Sequence, residues 1–225
     1  MKTARLIEEL AGGLDATPRL PPPWLRTAIW LSLSLPFLAL VVLVVSPRGD
    51  LAAKLLDARF LVEQGAALLT GIAAAYAAFV STIPGANRKL LMLPALPLAV
   101  WLGTLGKGCM DSWVRSGPEG LSLQPDWFCF PAILLVGSLP AIAIVTMLRR
   151  GAPLAPCTTI ALGGLAAAGL GDFGLRMFHP QDASIMVLVW QVGSVFVLAA
   201  LAGCAGRRLF NWQSKTARKR ARTAG

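Results

Sequence analysis

The sequence predicts an all-α integral membrane protein, a six-transmembrane-helix bundle with both the N- and C-termini in the cytoplasm. Of its 225 residues, 56% are apolar and 14% charged, against about 25% charged in an ordinary soluble domain. Six apolar stretches approach the roughly 20 residues needed to cross a hydrocarbon core of about 30 Å. The charges, 21 Lys+Arg against 11 Asp+Glu, gather mostly at the chain ends and in short loops. Sixteen prolines and 22 glycines would break up a soluble helical core, yet bilayer helices tolerate both. A soluble enzyme domain, a disordered tail and a disulfide-stapled secreted miniprotein are excluded on these grounds.

The first element is a cytoplasmic arm, residues 1–26. Leu6, Ile7, Leu10 and Leu14 fall at helical spacing, with Lys2, Arg5, Glu8 and Glu9 on the other faces. Gly12 and Gly13 weaken that helix, and Arg19-Leu20-Pro21-Pro22-Pro23-Trp24 reads as an extended polyproline stalk. An amphipathic helix of about 14 residues is marginal alone. It lies on the membrane, folds back on the bundle, or docks into a partner's groove. Its short apolar face and balanced charge argue against strong membrane binding.

The membrane domain is residues 27–205, with spans at 27–46, 60–83, 90–106, 127–148, 158–175 and 184–205. No small-residue cleavage site follows the first span before Pro47, so it reads as an uncleaved anchor. The third span is the shortest, and Pro94 and Pro97 are expected to kink or end it. The fifth carries Gly163, Gly164, Gly169, Gly171 and Gly174 with alanines between them. Small residues let helices approach closely, so this span is expected at the packed centre. A basic cytoplasmic tail, 206–225, follows the sixth span. Anionic lipid and topology anchoring account for it, and no direct nucleic-acid contact is expected. With the N-terminus inside, fifteen of the 21 basic residues fall in cytoplasmic segments and six in outer ones, as the positive-inside rule requires.

Ionisable residues within a bilayer are costly and worth attention. Glu63 lies one turn into the second span and Asp172 one turn before the end of the fifth, both near the outer face. Asp172 and Arg176 are four apart and can pair along one helix face. A structural ion pair is the favoured reading, because an ion pathway wants such groups at several depths. Cys109, Cys129 and the only histidine, His179, share the outer side with Asp111, Asp126 and Asp182. They form a possible thiol switch or soft-metal site, although their spacing matches no metal motif. An oxidising periplasm permits a Cys109–Cys129 disulfide, while Cys157 and Cys204, on the inner face, stay reduced. Small buried cysteines and a loop-capping histidine are the plain alternative.

Several further blocks stand out: the arm LIEELAGGL followed by RLPPPWLR, then Ser81-Thr82-Ile83-Pro84-Gly85, WLGTLGKGCMDSW at 101–113 and DWFCFPAILLVGSLPA at 126–141. LRRGAPLAP at 148–156 and HPQDASIMVLVW at 179–190 complete the set. Together and in this order they resemble the NrsF-type negative regulators of extracytoplasmic-function sigma factors, a bacterial family of six-span membrane proteins. The resemblance implies a non-enzymatic anti-sigma factor in the bacterial inner membrane, working in stress response without a cofactor. Its cytoplasmic arm would bind the sigma factor, with Arg5, Leu6, Ile7, Leu10 and Leu14 as the docking residues. Cys129 and Cys109 are the sensing positions it carries over. Some members have Cys where this chain has His179, which implies a Cys129–His179 metal or hydrogen-bond arrangement, or a Cys109–Cys129 disulfide. The competing readings are a small-solute transporter or channel, for which the spans offer Ser, Thr, Gln64, Gln191 and Tyr76, and a lipid-acting membrane enzyme. The first lacks an inverted repeat, and for the second one histidine is a poor start.

Overall fold

Proline decides where the first helix begins. Pro22 sits at φ −61°, ψ 151°, the extended polyproline conformation expected of the stalk, and Pro23 occupies the first helical turn. There its missing N–H costs nothing and its fixed φ already suits a helix. Helix α1, Pro23–Val45, therefore starts earlier than the expected residue 27, taking Pro23 and Trp24 out of the stalk and Leu25 and Arg26 out of the arm.

The computed structural model describes residues 20–117, 129–151 and 155–179, with isolated positions beyond them. Helices α2 (Ala58–Val80), α3 (Ala95–Ser116), α4 (Cys129–Leu148) and α5 (Pro156–Leu175) follow α1, and no strand occurs among the described residues. The Asp57 carboxylate caps α2 by accepting from the Arg59 N–H at 2.9 Å. The segment expected to be the third span divides differently. A 3-10 turn, Arg88–Met92, precedes α3, and Pro94 stands at the N-cap. Pro94 and Pro97 thus fall where the first-turn N–H groups lack intrahelical acceptors, so they open the helix and do not kink it. At its far end α3 runs beyond residue 106 to Ser116, and Gly117 follows at φ 59°. Lys107, Cys109 and Asp111, expected in an outer loop, consequently lie on a helix.

Helix α5 packs against α2, α4 and α1, the central place its small residues predict. A Cβ at Gly169 would stand 3.0 Å from the Ala67 carbonyl oxygen and the Gly71 nitrogen, and one at Gly71 would stand 3.1 Å from the Ala166 oxygen. Backbone meets backbone at this seam. The main core joins Trp30 and Leu38 to Phe79, Val136, Ile144 and Leu170. Helix α3 is attached to α2 through Ala66, Ala67, Trp101 and Leu105.

Polarity is inverted relative to a soluble protein. Leu43 and Val44 on α1 are 70% and 75% exposed, whereas Glu63, Asp172 and Arg176 are 4%, 3% and 4% exposed. Apolar side chains facing outward around buried charges suit a hydrocarbon solvent. Four helical segments, Pro23–Val45, Ala58–Val80, Arg88–Ser116 and Pro156–Leu175, are long and apolar enough to cross a membrane, and Leu135–Leu148 is a shorter apolar run. Of the expected sixth span only Gly193, Val197 and Ala200 are described, all three helical, and the basic tail lies outside the described residues.

Candidate functional site

Polar groups collect at the two ends of the bundle. At the end where the arm enters, Arg26 is 3% exposed. Its Nη1 donates to Thr82 Oγ1 at 2.9 Å and its Nη2 to the Met147 carbonyl at 2.7 Å. The guanidinium carbon lies 4.4 Å from the centroid of the Phe79 ring, a cation–π distance. Thr82 Oγ1 in turn donates to the Phe79 carbonyl at 2.7 Å. Met147 belongs to the last turn of α4, where carbonyls have no intrahelical donor and a cation complements the helix dipole. One side chain thereby joins the start of α1 to the ends of α2 and α4. Two further bonds reinforce this end: Ser81 and Thr159 share a hydroxyl–hydroxyl bond of 2.7 Å, and Trp30 Nε1 donates to the Pro140 carbonyl at 2.9 Å. Gly151 is tightly placed at the same end, since a Cβ would stand 2.6 Å from Thr82 Cβ.

The opposite end is built from charges. Arg59 Nε donates to Glu63 Oε1 at 2.9 Å, and Arg176 Nη2 donates to Glu63 Oε2 at 3.1 Å. Glu63 thus ties α2 to the residue that follows α5. Arg176 and Arg48 both lie over the Phe60 ring, at 5.4 Å and 6.0 Å from its centroid. Arg48 makes a two-pronged pair with Asp50 at 2.6 Å and 2.8 Å, and its N–H donates to the Met177 carbonyl at 3.1 Å. Arg176 sits one turn beyond Asp172 as expected, but its Nη2 donates across to Glu63 on α2. Both Asp172 carboxylate oxygens are buried without a hydrogen-bond partner among the described residues, as is Gln64 Oε1.

The sequence-predicted residues are spread over the chain and, among the described residues, do not gather in one cluster. Cys109 is a partly buried free thiol on α3 within the electrostatic reach of Arg59. His179 is buried just past α5, its N–H donating to the Leu175 carbonyl at 2.9 Å. Cys129 is the first residue of α4. Among the described residues no three His, Cys, Asp or Glu side chains converge to hold a metal. Cys157 is an exposed free thiol at the arm end. Of the arm, Thr3, Ile7, Glu8 and Gly12 are helical and Ile7 is 62% exposed. Arg5, Leu6, Leu10 and Leu14 lie outside the described residues, as do Asp126, Asp182 and Cys204.

Arg26, Arg48, Arg59 and Phe60 are members of these clusters that the sequence pattern does not single out. In the positive-inside count the arginines serve only as loop charges that set orientation, yet Arg26 and Arg48 are buried. For Arg26 a signal is present: it ends the RLPPPWLR block directly before an apolar run, where a charge must either reach the interface or find partners inside. An apolar groove of about 920 Å³ lies between α1, α2 and α3, lined by Trp24, Leu69, Ala73, Tyr76, Leu96 and Val100 among others. It runs along the flank of α2 and is not a polar path through the bundle.

A family model described as negative regulator of sigma F matches residues 10–212, covering α1 to α5 and the proline stalk. No curated protein and no solved structure matches the chain. The matched span includes both polar ends and the last apolar stretch, so helices α1 to α5 and their two clusters lie within the family's shared region. The chain belongs to the NrsF family of negative regulators of sigma F.

Proposed function

We propose that this protein is a membrane-bound anti-sigma factor of the bacterial inner membrane. Its cytoplasmic arm, residues 1–26, holds an extracytoplasmic-function sigma factor through Arg5, Leu6, Ile7, Leu10 and Leu14. The observation that carries the reading is the family match over residues 10–212, which supports a sigma factor as partner. The exposed, helical Ile7 and the outward apolar faces of the helices agree with a docking arm on a membrane bundle. Six spans with both termini in the cytoplasm would put the arm and basic tail on the same side as that partner. The bundle reports an envelope, redox or metal stress at Cys109, Cys129 or His179, and the arm then releases the sigma factor. The protein acts as a regulator and not as an enzyme.

The arm is the part to test. Deletion of residues 1–26 is expected to make a sigma-dependent reporter constitutive, and an unchanged reporter would sink the reading. In pull-downs, the 1–26 peptide and the detergent-solubilised chain are both expected to retain the sigma factor, and the combined Leu6→Ala, Ile7→Ala, Leu10→Ala variant to lose it.

A further inference from the structure

The geometry points to Arg26 as the positioning residue that sets the direction in which the arm leaves the bundle, so that a change in packing at the ends of α2 and α4 reaches the arm through this one side chain. The inference rests on the docking role proposed for the arm.

Its first support is burial. Arg26 is 3% exposed, although as the third residue after Pro23 it could have reached the interface, where Trp24, 64% exposed, stands. The second is the identity of its partners. Thr82 Oγ1 and the Phe79 ring belong to the end of α2, and the Met147 carbonyl to the end of α4. A planar guanidinium can donate to two acceptors in different directions while its face rests on a ring. Lysine, with a compact ammonium, cannot reproduce all three. The third is the stalk: Pro21, Pro22 and Pro23 leave few torsions free, and Pro22 is extended. A fixed first turn of α1 therefore fixes the direction of Pro21 and Pro22 before it. Gly151 closes the same place, since a Cβ would strike Thr82, so the position of Thr82 also senses the loop after α4.

An arm held in one direction has already given up orientational freedom that a loose arm must lose on binding, so the fixed arm binds its partner more tightly. Loss of the joint therefore acts as release does. The test uses the full chain in membranes with Arg26→Met, Arg26→Lys and, in the turn after α2, Thr82→Val. Spin labels at Leu20→Cys and Lys89→Cys, in a background with the four native cysteines changed to Ser, report the distance between stalk and bundle. A narrow distribution in the parent chain and broad ones in Arg26→Met and Thr82→Val are expected, with Arg26→Lys between them. A sigma-dependent reporter, compared at equal membrane levels, should rise by about tenfold in the same variants, within the usual range for coupled sites. The free 1–26 peptide, which has no bundle to orient it, should bind equally well with and without Arg26→Met.

Unchanged distance distributions in both Arg26→Met and Thr82→Val overturn the joint. Broadened distributions with an unchanged reporter overturn transmission, provided that deletion of residues 1–26 derepresses the reporter. If that deletion is also silent, the docking role of the arm fails and transmission with it, while the distance measurement still decides the joint. Weaker binding by the variant peptide would make Arg26 a direct contact of the sigma factor, which also overturns the proposal.

Discussion

At the arm end one buried cation, Arg26, is held by uncharged partners, a hydroxyl, a carbonyl and a ring. At the opposite end Arg59, Glu63 and Arg176 hold one another, with Arg48 and Asp50 beside them. The difference concerns what each end can respond to. A knot of neutral acceptors depends on where three helix ends lie, so it responds to packing. A ladder of charges depends on each member remaining ionised and paired, so it responds to chemistry at that face. This division agrees with the proposed release, in which a change at one end reaches the arm at the other. The glycine seam between α2 and α5 lies between the two ends and holds them in register.

The comparison can be broken most severely at Glu63. Glu63→Gln removes the carboxylate between two guanidiniums, of which Arg176 is buried with it. Removing one partner of a buried pair costs about 3–5 kcal/mol, and thermal unfolding in detergent should show a larger fall in Tm than any of the three substitutions that follow. Gly169→Ala comes next. Its new methyl meets backbone and not a flexible side chain, and overpacking of this kind costs about 1–3 kcal/mol. Trp30→Phe removes the bond from Nε1 to the Pro140 carbonyl and should cost roughly 0.5–1.5 kcal/mol, small because that end depends on several neutral contacts. Asp172→Asn should cost least. Its carboxylate is buried without a hydrogen-bond donor among the described residues, and a carboxylate buried without such donors opposes folding even with a cation nearby, so an equal or higher Tm is expected. A fall as large as that of Glu63→Gln would show that the two carboxylates act as one unit.

Much of the fold is legible in the sequence because bilayer helices are written in composition. Apolar runs locate four of the five long helices among the described residues to within a few residues at most of their ends, and the small residues of the fifth run foretell its central position. The third run reads too short because Lys107, Asp111 and Arg115 lower the hydropathy of its polar end, although a helix continues for as long as its backbone bonds do. Pro94 and Pro97 read as a break because periodicity alone does not show that they fall in the first turn, where proline is tolerated. The site is legible only in part. Cys109, His179, Glu63 and Asp172 can be assigned to one end from topology, and the neighbourhood of Asp172 and Arg176 follows from their spacing of four residues. The hydrogen bond from Arg176 to Glu63 does not, because no linear pattern joins residues 113 apart.

By itself the sequence determined the helical class, the outward apolar faces, the proline stalk and the membership of a family of sigma-factor regulators, because each of these resides in local composition or in ordered blocks of residues. Only the tertiary structure decided which arginines are buried and what they hold. Arg26 and Thr82 are 56 residues apart and Glu63 and Arg176 are 113 apart. Such partners are chosen when helix ends are brought together by packing, since a buried guanidinium must find acceptors wherever the neighbouring helices place them.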